Sequence, residues 1–183
     1  MTEEEYLAFE RHSTEKHELH HGYLLPKSGA SDYHNRIATN FSGFLWFSLR
    51  DKDFLVYQSD MRVRNPLTER YYYPGLLVVR SEPSFADGEF DSLLNPVLIA
   101  EILSLSLSPT TTSINLRLTK TLNIPSLTEY VLVAADHLHV SHYRKLEDNR
   151  WEIRMYTNET DELSVLDGTV TIPLTEVYRR VKF

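Results

Sequence analysis

The sequence predicts a mixed α/β fold, a sheet system flanked by helices, in one domain spanning residues 1–183. Three observations carry that expectation. Apolar residues recur at intervals of three and four between residues 32 and 49 (Ile37, Phe41, Phe44, Leu45, Leu49), the spacing of a helix with one buried face. Beyond residue 54 the period falls to two or gives continuous apolar runs, the pattern of strands. A second helical stretch, residues 112–122, interrupts those runs and stops before Pro125.

Taken in order, Thr2 precedes Glu5 by three residues, a capping-box pattern that starts a short helix to about Glu10. Leu19, His21, Tyr23 and Leu25 alternate around Gly22, which reads as a hairpin or bulged strand. Ser31 or Asp32 caps the long helix. Strands are expected at residues 54–57, 61–63, 76–79 and 97–103. The last of these begins with the nearly all-apolar run Val97-Leu98-Ile99-Ala100, as a strand covered on both faces does. Further strands are expected at 130–133, 138–143, 151–155 and 163–165. Pro173 sits at the start of a closing helix over 174–178, where its missing N–H costs little.

With 183 residues the chain is long enough for a substantial core without covalent staples, and it has no cysteine. Disulfide frameworks, Cys-ligated zinc, iron–sulfur clusters and thiol nucleophiles are excluded. No apolar run reaches the ~20 residues of a membrane span, and the acidic start Glu3-Glu4-Glu5 lacks the apolar core of a signal peptide, so a cytoplasmic protein is expected. Net charge is −7, and no third of the chain is basic. That counts weakly against nucleic-acid binding, because folding can gather scattered arginines into one cleft.

His17-Glu18-Leu19-His20-His21 matches the H-E-x-x-H pattern of zinc hydrolases. The pattern works only on a helix. On a strand positions 17 and 21 lie about 13 Å apart at ~3.3 Å per residue, too far to share one zinc. On a strand His137 and His139 share a face and His142 lies on the other, too few together for a structural zinc, and a solvated outer strand face is the expected setting of the group. Phosphate loops, G-x-G-x-x-G and G-x-S-x-G are absent. The quieter signal is Glu101, a carboxylate within a buried apolar run, which needs a partner. Two readings stand: an ion pair with Arg62, Arg64 or Arg117, or a metal-binding carboxylate on a central strand.

Over nearly its whole length the chain resembles a bacterial family, the Uma-type restriction-endonuclease-like proteins, formerly a domain of unknown function and assigned to the PD-(D/E)XK nuclease fold. The resemblance is carried by Glu4-Glu5-Tyr6-Leu7-Ala8-Phe9-Glu10, by His17-Glu18-Leu19 with Gly22, and by Gly29-Ala30-Ser31 with His34-Asn35-Arg36-Ile37. It continues in Ser59-Asp60-Met61-Arg62-Val63-Arg64, Tyr72-Tyr73-Pro74, and Leu94-Asn95-Pro96-Val97-Leu98-Ile99 with Glu101-Ile102-Leu103-Ser104. It closes with Ile124-Pro125-Ser126-Leu127, Glu129-Tyr130-Val131-Leu132-Val133 and Pro173-Leu174-Thr175-Glu176-Val177-Tyr178.

The resemblance implies a Mg²⁺-dependent DNA endonuclease and a homodimer. Its site would comprise an Asp after the Tyr-Tyr-Pro run, the Glu of the next central strand, and a Lys on the following helix. Two carboxylates would hold Mg²⁺ at the scissile phosphate, and the lysine would steady developing charge. Glu101 matches. Gly75 stands where the Asp is expected, and glycine has no ligand atom. The helix that should carry Asp-Arg-Gly-(Glu/Asp)-Lys reads Ser113-Ile114-Asn115-Leu116-Arg117-Leu118-Thr119-Lys120, so Arg117 or Lys120 would supply the cation. Glu18 and His34 fall in family-like segments that would line the cleft, although His34 could equally neighbour a helix cap. Asp60 is a second candidate metal contact or an ion-pair partner of Arg62 or Arg64. The expectation is an endonuclease with an impaired site; the alternative is a non-catalytic homodimeric binding or remnant protein.

Overall fold

The computed structural model describes residues 1–27, 29–103, 118 and 121–183. Helix α1 covers Glu3–Glu10, α2 Asp32–Leu49 and α3 Leu174–Val177. The capping box forms as expected: the Glu5 N–H donates to the Thr2 hydroxyl oxygen and the Thr2 N–H to the Glu5 carboxylate. Ser31 caps α2 by accepting from the His34 N–H at 3.3 Å. Most of the expected helix over residues 112–122 lies outside the described residues.

The described strands form three sheets. A six-stranded sheet runs in the order β11 (Trp151–Tyr156), β10 (Val140–Lys145), β9 (Glu129–Ala134), β8 (Leu98–Leu103), β6 (Leu76–Arg80) and β3 (Phe54–Gln58). A five-stranded sheet runs β2 (Tyr23–Pro26), β1 (His17–His20), β5 (Arg70–Tyr72), β4 (Arg62–Asn65) and β7 (Ser92–Leu93). Strands β12 (Glu162–Val165) and β13 (Val170–Pro173) pair as a hairpin. Strand β8 lies inside the large sheet, antiparallel to β6 and parallel to β9.

Alternation along β8 explains how the layers divide. Leu98, Ala100 and Ile102 face a core with Ile37, Phe41, Leu45 and Leu49 of α2, where β13 and α3 also pack. Ile99 and Leu103 face the opposite core, shared with Val63, Tyr72 and Leu93 of the five-stranded sheet. Glu101, between Ile99 and Leu103, falls by alternation on this second face. A third small cluster, Tyr6, Leu19 and Tyr71, seats α1 on the five-stranded sheet.

The histidine expectation needs correction. His142 is buried, and its Nε2 lies 2.9 Å from Glu129 Oε2. Strand β10 turns that residue toward the first core, under the β12–β13 hairpin, where little of it is exposed. His137 and His139 precede the strand, with ring centroids 5.6 Å apart.

Buried Arg62 pairs with Asp91, which also takes the Arg11 guanidinium at 2.8 Å. Burial alone would raise the Asp91 carboxyl. Hydrogen bonds from Arg11 and Ser92 and the charge of Arg62 outweigh it and hold the carboxyl below its ordinary 3.8. A carboxyl lowered by folding stabilises the fold above its unfolded value, and that stabilisation is lost as pH falls through the lowered one. Asp91→Asn is therefore expected to weaken the protein at pH 7 and to flatten its stability loss below about pH 4, read from urea unfolding at several pH values. An unchanged acid profile would show that Asp91 is not part of the acid response.

Candidate active-site cleft

Leu76 pairs with Ala100. The ladder itself ends at Leu76; continued by one residue, at the about 4.5–5.5 Å Cα spacing of antiparallel neighbours, it would set Gly75 beside Glu101. The backbone at Gly75 is close-packed. A Cβ there would stand 3.1 Å from the Ala100 carbonyl oxygen and 3.2 Å from Ile102 Cδ1. Its φ is not in the left-handed region, so space rather than dihedral preference is what a side chain would contest.

The five-stranded sheet supplies the facing wall. Leu19 pairs with Tyr71, which sets Glu18 opposite Tyr72 on one face, and His20, two residues on, shares that face. Glu18 is held at both oxygens: Oε1 accepts from the Tyr73 N–H at 3.4 Å and Oε2 lies 3.1 Å from His20 Nε2. Burial would raise the Glu18 carboxyl. The His20 contact, the Lys27 charge and the Tyr73 N–H together bring it below its ordinary value. The Tyr72 hydroxyl lies beside Thr121 and is pushed up by burial and by the charges of Glu101 and Glu18.

His34 completes the ring of groups. Burial and the nearby Lys27 ammonium hold its imidazole below the ordinary histidine value, while the adjacent Ile102 backbone opposes them. Its Nδ1 is buried with no hydrogen-bond partner among the described residues. Lys27 thus lies near both Glu18 and His34, and Glu18 and Glu101 both lie near the Tyr72 hydroxyl.

Asp60 does not join these groups: it is exposed and ion-paired with Lys16. Arg117 and Lys120 lie outside the described residues. Of the arginines considered as partners of Glu101, Arg62 pairs with Asp91 and Arg64 with Glu3 at 2.9 Å. The H-E-x-x-H pattern sits on β1 and its turn, as expected. His17 Nδ1 lies 3.1 Å from Glu10, and His21 contacts Arg70 instead.

Three members of the cleft were not anticipated: Lys27, His20 and Tyr72. Lys27 donates to the Tyr73 carbonyl and stands 5.6 Å from the centre of the Tyr73 ring. Period-two spacing could have placed His20 beside Glu18, and Lys27 in line with Tyr23 and Leu25. The pairing of β1 with β5 cannot be read from spacing. Among the described residues no three His, Cys, Asp or Glu side chains gather as a metal site. Mg²⁺ prefers converging oxygens in near-octahedral array, and glycine at 75 contributes none.

Known proteins share this architecture and sequence. A crystal structure titled as a putative nuclease belonging to DUF820, from Anabaena variabilis, superposes with a TM-score of 0.75 at 14% identity, covering 97% of each chain. The two chains share one mixed α/β fold. The uncharacterized protein sll1609 of Synechocystis is 36% identical over 163 residues, which is 89% of this chain and 91% of that protein. Another Synechocystis protein, the uncharacterized slr1290, is 26% identical over 183 residues, all of this chain and 94% of that one. The model of the Uma2 family, described as putative restriction endonuclease, matches residues 3–175, and the chain belongs to that family.

Proposed function

We propose that this chain is a cytoplasmic DNA-binding protein of the restriction-endonuclease-like fold whose Mg²⁺-dependent cleavage is impaired. The observation that carries the reading is Gly75 across the sheet from Glu101. A carboxylate at that position would be the cross-strand neighbour of Glu101, the arrangement from which two-carboxylate sites hold Mg²⁺. When bound, Mg²⁺ supplies an activated water and a clamp on the scissile phosphate. Glu101 remains as the strand carboxylate, with Arg117 or Lys120 as the cation. Glu18 and His34 line the wall where a strand of DNA would pass. The family and the fold support DNA as the ligand.

The test has two arms. Duplex binding is followed by fluorescence anisotropy in EDTA at low salt, and nicking of supercoiled plasmid is followed in Mg²⁺ and Mn²⁺. The expected result is salt-sensitive binding with no nicking above that of Glu101→Ala. Nicking that Glu101→Ala abolishes would overturn the impairment. Failure to bind DNA at low salt would remove DNA as the ligand.

A second reading, a non-catalytic homodimer, is favoured by one observation. Tyr71, Tyr72, Tyr73 and Phe41 are buried and offer no surface to a partner. Trp46 and Phe47, consecutive on α2, remain 57% and 63% exposed. Exposed apolar clusters of this kind mark association surfaces. Light scattering at micromolar concentration should report twice the chain mass; a single-chain mass contradicts the dimer.

A further inference from the structure

The geometry points to Lys27 as the resident cation of the site, an ammonium that donates to the carbonyl of Tyr73, the residue whose N–H holds Glu18, and closes the site to divalent metal. The inference rests on the reading that the cleft around Glu101 is the family's nuclease site. It addresses what occupies that site once a ligand is missing.

Three observations support it. Lys27 is placed by backbone pairing rather than by a loose side chain. It directly follows β2, and its N–H donates to the Lys16 carbonyl at 2.8 Å, closing the β1–β2 hairpin. The ammonium donates to the carbonyl of Tyr73, two residues before Gly75, and lies 5.6 Å from the centre of that ring. Its field reaches both Glu18 and His34. A backbone carbonyl and carboxylates are the hard oxygens that Mg²⁺ prefers. An ammonium offers three donors to the same kind of oxygen, with a fixed single charge and no coordination geometry to satisfy. A divalent ion entering beside it would meet a like charge within the cleft, and no carboxylate at 75 offsets that repulsion.

The experiment follows thermal unfolding of the whole chain with and without Mn²⁺, using NaCl of equal ionic strength as control. Unmodified protein is expected to show no Mn²⁺-specific shift. Lys27→Met should unfold at a lower temperature and then recover by about 3–5 °C at a tenfold excess of Mn²⁺ over its Kd. The recovery should vanish in Lys27→Met/Glu18→Gln and should be absent in Lys27→Arg, which keeps a cation. If Lys27 is only a tether for the strand end, Lys27→Met unfolds earlier and ignores Mn²⁺, and the proposal falls. It falls equally if the unmodified protein gains as much from Mn²⁺ as the variant does.

Should Lys27→Met fail to fold, the unmodified protein still decides. Paramagnetic Mn²⁺ must leave the His20 and His34 ring resonances unbroadened, and selective broadening of either overturns the proposal. Absence of DNA binding would sink the nuclease reading without altering any of these metal readouts, so the two failures are distinguishable.

Discussion

Replacing Glu129 with leucine should cost about 3–5 kcal/mol of folding stability. Its carboxylate is 1% exposed and serves two groups. Oε2 meets Nε2 of His142, itself 4% exposed, at 2.9 Å, and Oε1 accepts the Asp167 N–H at 3.0 Å. Leucine fills comparable space but leaves an imidazole and a backbone N–H without an acceptor in the interior. Urea unfolding at pH 7 measures the loss. Glu129→Gln keeps an oxygen in place and should lose less. A leucine variant within about 1 kcal/mol of the parent would mean that the pair contributes little beyond packing.

Aspartate at position 75 is the second large effect, and it acts in two directions. Its Cβ would lie 3.1 Å from the Ala100 carbonyl oxygen, a backbone atom fixed in the β6–β8 ladder. Forcing atoms into a well-packed region typically costs about 1–3 kcal/mol, and that loss is expected here. The same substitution adds a carboxylate beside Glu101. Mn²⁺ titration calorimetry should therefore give a binding heat that the parent lacks, larger when Lys27 is also methionine. Gly75→Ala separates the terms: it should share the instability and show no metal heat. If folded Gly75→Asp binds Mn²⁺ no better than the parent even with methionine at 27, residue 75 and Glu101 do not form one site.

Much of this architecture was legible because its driving patterns are local. The four-residue spacing of Ile37, Phe41, Leu45 and Leu49 specifies the buried face of α2, and all four are in the core. The apolar run ending at Glu101 became the interior strand β8. Strands β5, β7 and β13 were not anticipated. Arg70-Tyr71-Tyr72 is buried at every position, including the arginine, so it shows no alternation. Strand β7 has only two residues, and its place beside β4 is set by a parallel pairing from 30 positions away. His142 was misread because a histidine on a strand carries no mark of its face. Its burial follows from the hairpin laid over it and from Glu129 on the next strand.

The candidate site divides in the same way. Glu101 stood out because a charge in an apolar run demands an explanation, and Glu18 and His34 were flagged by family-like segments. Lys27 and Tyr72 join them only through pairing between distant strands, which neither propensity nor spacing encodes.

The single register pair joining β1 to β5, Leu19 with Tyr71, bears on how the protein reaches its native state. Hairpin β1–β2 closes locally, with Leu19 against Leu24, five positions along. The seam to β5 joins residues 52 positions apart. By the logarithmic cost of loop closure it carries about 2 kcal/mol more chain entropy than the hairpin turn. Everything that sets Glu18, His20 and Lys27 against Tyr72 and Tyr73 depends on that late, non-local contact. A chain that has formed its hairpins and helices still has no cleft, because the cleft has no local precursor.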